Sequence, residues 1–387
     1  MTENKGRPDL DSLIERFEED VRKRPTPDEL AAAERALRGA AALPEPKPQP
    51  KPRANLVIAP APPVVPAVQP AAASAPPIPE LEVLPADIEG WWSSGQRVEL
   101  ELPGGQVHTI FTRVLGTGPW LTMIHGFPTS SWDWVPILPH LARRHRVLAF
   151  DLLGFGDSDK PPAHDWSTFE QADIVEALWK HFGVAESRVV AHDVGLTVAL
   201  ELLARQQENR LAARVSDLTM LNGGAYAAAH RPRPIQVWLQ RPLVGAVIAR
   251  MLSEAGFSRA LAEIFSSAHQ PTEQALHQHW LSVARRDGSR NYHRLIKYLP
   301  ERRANAARWE GALDRAEVPT RFIWGMADPV SGAPTIEVVR GRRPGADIVE
   351  LANVGHYPQL EAPERVAAAV LSDDQSPGPA APKDVGT

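Results

Sequence analysis

Short unbroken apolar runs punctuate the chain, and stretches with helical spacing lie between them. The runs occupy residues 120–125, 146–151, 188–192, 218–221, 320–324 and 348–351. Their brevity, and the absence of polar alternation within them, predicts strands buried on both faces. Between most of them apolar residues recur at three- and four-residue steps, which predicts helices over 168–182 and 196–205. Ahead of these, residues 97–102 and 107–114 flank Pro103-Gly104-Gly105, the pattern of an antiparallel hairpin. Strands alternating with helices imply βαβ units and a mostly parallel sheet of eight strands flanked by helices. The interval from about 224 to 316 has helical composition and no strand pattern. It is too long for a crossover and reads as an inserted helical cap.

The folded domain is expected over residues 87–371. Before it, Leu10, Leu13, Ile14, Phe17 and Val21 share one helical face, and 31–42 is also helix-prone. Residues 43–86 are rich in Pro and Ala and predict an extended linker. Residues 372–387 read as a disordered tail. The segment 1–42 thus becomes a candidate docking helix for a protein partner.

Composition narrows the function classes. Hydrophobic residues make up 43% and charged residues 23% of 387, enough to build a sizeable core. A net charge of −5 supplies no basic field for nucleic acid. Cysteine is absent, which excludes disulfides, thiolate metal sites and a cysteine nucleophile. With no signal-like N-terminus and no long apolar segment, a cytoplasmic protein without a membrane span is expected. No spacing suggests a metal site or a cofactor.

The chemistry is concentrated around Ala191-His192-Asp193-Val194-Gly195. An apolar strand ends at a small residue, a polar residue stands at the apex, a glycine follows, and a helix begins. This is the pattern of a nucleophile elbow, in which larger side chains at 191 or 195 would strike neighbouring backbone. The apex residue is Asp193, beside a helix N-terminus that favours negative charge. A helix-capping role would account equally well for an aspartate at this position taken alone. His125-Gly126-Phe127-Pro128 follows a strand, where the N–H of Phe127 and that of Val194 are positioned for an oxyanion hole. Asp328 lies just past a strand end and His356 on the loop after the last strand, which gives a chain order of nucleophile, acid and histidine.

HGFPTSSWDW, DLLGFGDSDKP, AHDVG, WGMADP and VGHYPQLEAPE together resemble the α/β-hydrolases of the epoxide hydrolase and haloalkane dehalogenase group. A closer likeness is to the mesoderm-specific transcript protein family. The resemblance implies an α/β-hydrolase fold over about 91–371. It also implies a covalent mechanism in which Asp193 attacks carbon and His356, oriented by Asp328, activates water against the resulting ester. The expected substrate is a small apolar carbon electrophile, an epoxide first. Haloalkane dehalogenase-type hydrolysis and a weakly catalytic scaffold of the same fold are the alternatives.

Two departures from the pattern matter. Dehalogenases of this group usually place a halide-binding tryptophan directly after the nucleophile, where this chain has Val194. Epoxide hydrolases use two cap tyrosines as proton donors. Tyr298 corresponds to the later one, and the earlier has no clear counterpart; Trp238 is near the expected region, and Tyr226 falls early. His125 and Trp132 are further candidate substrate-binding residues. The 151–161 segment reads as a structural turn.

Overall fold

The computed structural model describes residues 84–372, so the calls made for 1–42, for residues 43–83 of the linker and for the tail from 373 lie outside the described residues. An eight-stranded sheet forms the centre: β1 (Gln96–Glu101), β2 (Val107–Leu115), β3 (Trp120–Ile124), β4 (Arg146–Phe150), β5 (Glu186–Asp193), β6 (Arg214–Gly223), β7 (Thr320–Gly325) and β8 (Asp347–Leu351). Their order across the sheet is β1-β2-β4-β3-β5-β6-β7-β8. The hairpin β1–β2 and the β2–β4 pair are antiparallel, and every other pairing is parallel. This is the expected mostly parallel arrangement, with its antiparallel hairpin at the edge.

Two apolar layers explain why the strands read as continuous apolar runs. Side chains alternate across a strand. Thus Met123, Val190 and Ile323 join Trp91, Trp134 and Val366 on one face. Ile124, Ala191, Phe322 and Trp324 join Trp179, Leu196 and Trp309 on the other.

The principal helices are α1 (Ile88–Ser93), α2 (Leu138–Leu141), α3 (Thr168–Phe182) and α4 (Val194–Gln207). Helix α3 starts on a Ser167 cap that accepts from the Glu170 N–H, and stops at Gly183 in the left-handed conformation. Between β6 and β7 the chain is helical with no strand: α5 (Pro234–Leu239), α6 (Pro242–Met251), α7 (Glu254–Ala262), α8 (Glu273–Ala284), α9 (Tyr292–Leu295), α10 (Tyr298–Ala304) and α11 (Ala306–Asp314). The helices α12 (Ala333–Arg342), α13 (Pro358–Glu361) and α14 (Pro363–Leu371) complete the chain. Helix α9 ends at Leu295, and α10 starts after Lys297. No helix of the described residues is long and apolar enough to cross a membrane.

Candidate active site

Asp193 closes β5 and immediately precedes α4. Its φ of 48° and ψ of −112° lie in a region that a non-glycine residue rarely adopts. The surroundings hold it there. A Cβ on Gly195 would stand 2.2 Å from the Ile124 carbonyl oxygen, so residue 195 must be glycine for the turn to pack on β3. A Cβ on Gly126 would stand 2.7 Å from the Asp193 Cβ, so the loop after β3 reaches the elbow only with glycine there. The resulting contact is direct: the Phe127 N–H donates to Asp193 Oδ1 at 3.1 Å. Val194 opens α4, whose first N–H groups have no acceptor within the helix.

His356 faces the other oxygen, with Nε2 3.6 Å from Asp193 Oδ2. Its Nδ1 lies 2.8 Å from Asp328 Oδ2 and donates to that carboxylate. Asp328 is saturated by further donors: the Val330 N–H at 2.7 Å, the Ser331 hydroxyl at 2.7 Å and the Asn222 amide at 2.8 Å. The His356 loop is fixed as well. Its carbonyl accepts from His192 Nε2 at 2.8 Å, and its N–H donates to the Ile264 carbonyl in the helical insertion at 2.9 Å. Glu361 accepts from the N–H groups of Gly355, Tyr357 and Ser266. His192 and Glu361 are therefore positioning residues that the sequence pattern did not single out. His192 stood inside the elbow motif, and Glu361 reads as an ordinary helix-start acid.

Burial alone would push Asp193 up, but the polar contact and charge of His356, 3.6 Å away, outweigh it and hold the carboxyl well below its ordinary range. Burial would likewise lower His356, yet Asp328 and Asp193 raise it to about 10. Asp328 is depressed, against burial, by the His356 charge. The resting arrangement is thus an imidazolium between two carboxylates.

The remaining candidates separate. Tyr298, 5% exposed, has a buried hydroxyl with no hydrogen-bond partner, and burial and then the Asp193 charge push the phenol well above its usual value. The other three tyrosines are engaged: Tyr226 with Asp314 at 2.8 Å, Tyr292 with the Pro128 carbonyl at 2.6 Å, and Tyr357 with Thr129 at 3.5 Å. His125 accepts from the Leu152 N–H at its Nε2, at 2.9 Å, and so donates from Nδ1 to the Gly126 carbonyl, also at 2.9 Å. Both nitrogens are occupied in shaping the loop, which leaves none for a substrate. Trp132 packs edge-on against Trp91 with centroids 6.2 Å apart, in the apolar layer across the sheet from Trp179 and Leu196. Trp238 is half-buried beneath the Arg241 guanidinium, 4.3 Å away. In the 151–161 segment, Asp151 accepts from the Ser131 and Asp157 N–H groups, and Asp157 pairs with Arg97, Arg285 and Arg286. Away from the elbow, His108, His164 and Glu170 bring three ligand-type atoms within 4.8 Å of one another, an arrangement whose spacing along the chain shows no motif.

Arg302 and His230 also stand close enough to shift with the Asp193 charge. An open cleft of about 680 Å³ at the β1–β2–β4 edge, lined by Gln96, Thr112, Gly116 and Arg146, shares no residue with the site. Asp193, Asp328 and His356 are buried and lie outside that cleft.

Residues 119–363 match the family model of the alpha/beta hydrolase fold. The chain belongs to the α/β-hydrolase fold family. Among similar proteins, LipZ of Mycobacterium tuberculosis, named as a hydrolase, is 42% identical over 257 residues, covering 66% of this chain and 88% of LipZ. The human mesoderm-specific transcript homolog protein is 39% identical over 257 residues, covering 65% of this chain and 77% of that protein. The solved structure of haloalkane dehalogenase DbeA from Bradyrhizobium elkani superposes with a TM-score of 0.61 at 24% identity, covering 72% of this chain and 97% of that one, a likeness of fold. The resemblance to the mesoderm-specific transcript protein seen in the motifs extends over 257 residues, and the likeness of fold to the dehalogenase over 72% of the chain.

Proposed function

We propose that the chain is a hydrolase of carbon electrophiles that works through an alkyl ester on Asp193, with an epoxide as the substrate. The observation that carries this reading is the division of labour between the two Asp193 oxygens. Oδ1 is held by the Phe127 N–H, while Oδ2 faces His356. In this reading Oδ2 attacks the epoxide carbon and the carbon–oxygen bond of the ring breaks. The Tyr298 hydroxyl gives its proton to the departing oxygen. Ester formation removes the Asp193 charge that helps raise His356, so the imidazolium gives up its proton and resupplies Tyr298. Neutral His356 then takes a proton from water, and the hydroxide adds to the ester carbonyl. Oδ1 becomes the oxyanion, met by the N–H groups of Phe127 and Val194. Cleavage of the bond from Cγ to Oδ2, with the proton of the added hydroxyl passing to the departing alkoxide, releases the diol and returns a carboxylate that contains one oxygen from water. The helical insertion between β6 and β7 serves as the cap, since it supplies Tyr298 and braces the His356 loop. Val194 carries no side-chain donor for a halide, which favours the epoxide over the haloalkane.

Turnover in ¹⁸O-water tests this scheme. Mass analysis of the peptide containing Asp193 is expected to show label in the carboxylate after many turnovers. Label confined to the product would rule out the ester.

A further inference from the structure

The structure assigns Arg302 to the recognition of a carboxylate on the substrate, so that the electrophile carries an anionic end. The inference rests on the covalent Asp193 reading and narrows its substrate class. Arg302 is 4% exposed, and its Nε and Nη1 are buried without a hydrogen-bond partner. Buried guanidinium groups elsewhere in the protein are treated differently. Arg205, 7% exposed, pairs with Asp173, Glu176 and Glu201. A buried cation with open donors is costly unless something else supplies the anion.

Its place in the fold puts those open donors beside Asp193. The guanidinium lies across Gly224, where a Cβ would stand 1.6 Å from Nη1. The preceding Gly223 packs against Asp193, since a Cβ there would stand 2.9 Å from the Asp193 Cα. Arg302 is one helical turn after Tyr298 on α10, with Cζ 5.7 Å from the tyrosine ring centroid. His230, mostly buried, leaves both ring nitrogens without a partner, and burial and then the Arg302 charge hold it neutral at about 3. Arg302, Tyr298 and His230 therefore present unmatched polar atoms around Asp193, where an all-apolar ligand would leave every one unsatisfied.

Charge conservation sharpens the choice of ligand. While Asp193 is ionised, its charge partly compensates Arg302. Once the ester forms that charge is gone, and Tyr298 has neutralised the departing oxygen. A substrate carboxylate compensates Arg302 both before and after this step, and accepts a charge-assisted hydrogen bond from Nε or Nη1.

The test compares glycidate, an epoxide bearing a carboxylate, with glycidamide, its neutral counterpart, on the full-length enzyme. The inference predicts a kcat/KM for glycidate about ten- to a hundredfold higher. Arg302→Met should abolish that preference, and Arg302→Lys should restore part of it. A wild-type preference for glycidamide, or an equal loss on both substrates in Arg302→Met, overturns it; the second result would place Arg302 with the departing oxygen. Binding separates this inference from the chemistry. Butanoate, and not butanamide, should raise the thermal unfolding midpoint of the wild type and leave Arg302→Met unmoved. That result stands even where neither epoxide turns over, an outcome that would instead reject the epoxide reading. Equal effects of the two ligands would overturn the role of Arg302.

Discussion

A carboxylate taken out of water is driven toward its neutral form, and Asp193 stays ionised because an imidazolium stands beside it. His356 in turn stays protonated because Asp328 and Asp193 flank it. The pair is coupled, so removing one member must move the other. In Asp193→Asn, His356 is expected to titrate well below about 10, as followed by NMR of its ring protons. An unmoved value would mean that Asp193 does not set the histidine's charge. The same substitution should lower kcat by about a thousandfold or more. Tyr298→Phe separates the half-reactions. Without the phenol, single-turnover ester formation should slow by about a hundredfold or more, while breakdown of preformed ester stays near wild type. Equal slowing of both steps would remove Tyr298 from the donor role.

At the scale of elements, the turn between β5 and α4 concentrates the constraints. Gly195→Ala would press a methyl group onto the Ile124 and His125 carbonyl oxygens. Overpacking of this kind costs about 1–3 kcal/mol, measurable by urea unfolding. A variant as stable as wild type would mean that β3 and the elbow are less tightly joined than described. The elbow was legible in the sequence because steric demands dictate residue types there: small at 191 and 195, polar at 193. The strands were legible because both faces are buried. Polar β6 residues such as Ser216, Asp217 and Asn222 hid the strand's true extent, from Arg214 to Gly223. Asn222 was overlooked for the same reason, although its amide supports Asp328. Arg302 was illegible because YLPERRA reads as a charged surface helix, and only the space above Gly224 turns its head inward. His125 misled in the other direction, since its motif position suggested ligand contact where both nitrogens serve the backbone.

For the whole molecule, two apolar layers hold a sheet whose carboxyl ends carry Asp193, and the helical insertion closes over them. Asp193 and His356 are each 2% exposed. The buried charge cluster also ties stability to pH. His356 has a folded value near 10, above its unfolded value of about 6.5. Its stabilisation is therefore present in full below about pH 6.5 and is lost as the pH rises through about 10. The thermal midpoint should fall across this window more steeply in the wild type than in His356→Gln. Parallel profiles would show that the ion pair contributes nothing to folding.

Every step of the account depends on a covalent bond to Asp193, and trapping that bond tests it most directly. His356→Gln keeps the proposed nucleophile and removes the proposed base for hydrolysis of the ester. Incubated with an epoxide that the wild type consumes, this variant is expected to gain the mass of one substrate molecule. Digestion should place the added mass on the peptide containing Asp193, and Asp193→Asn should show no gain. An unmodified His356→Gln protein, or an adduct on any other residue, would contradict the account.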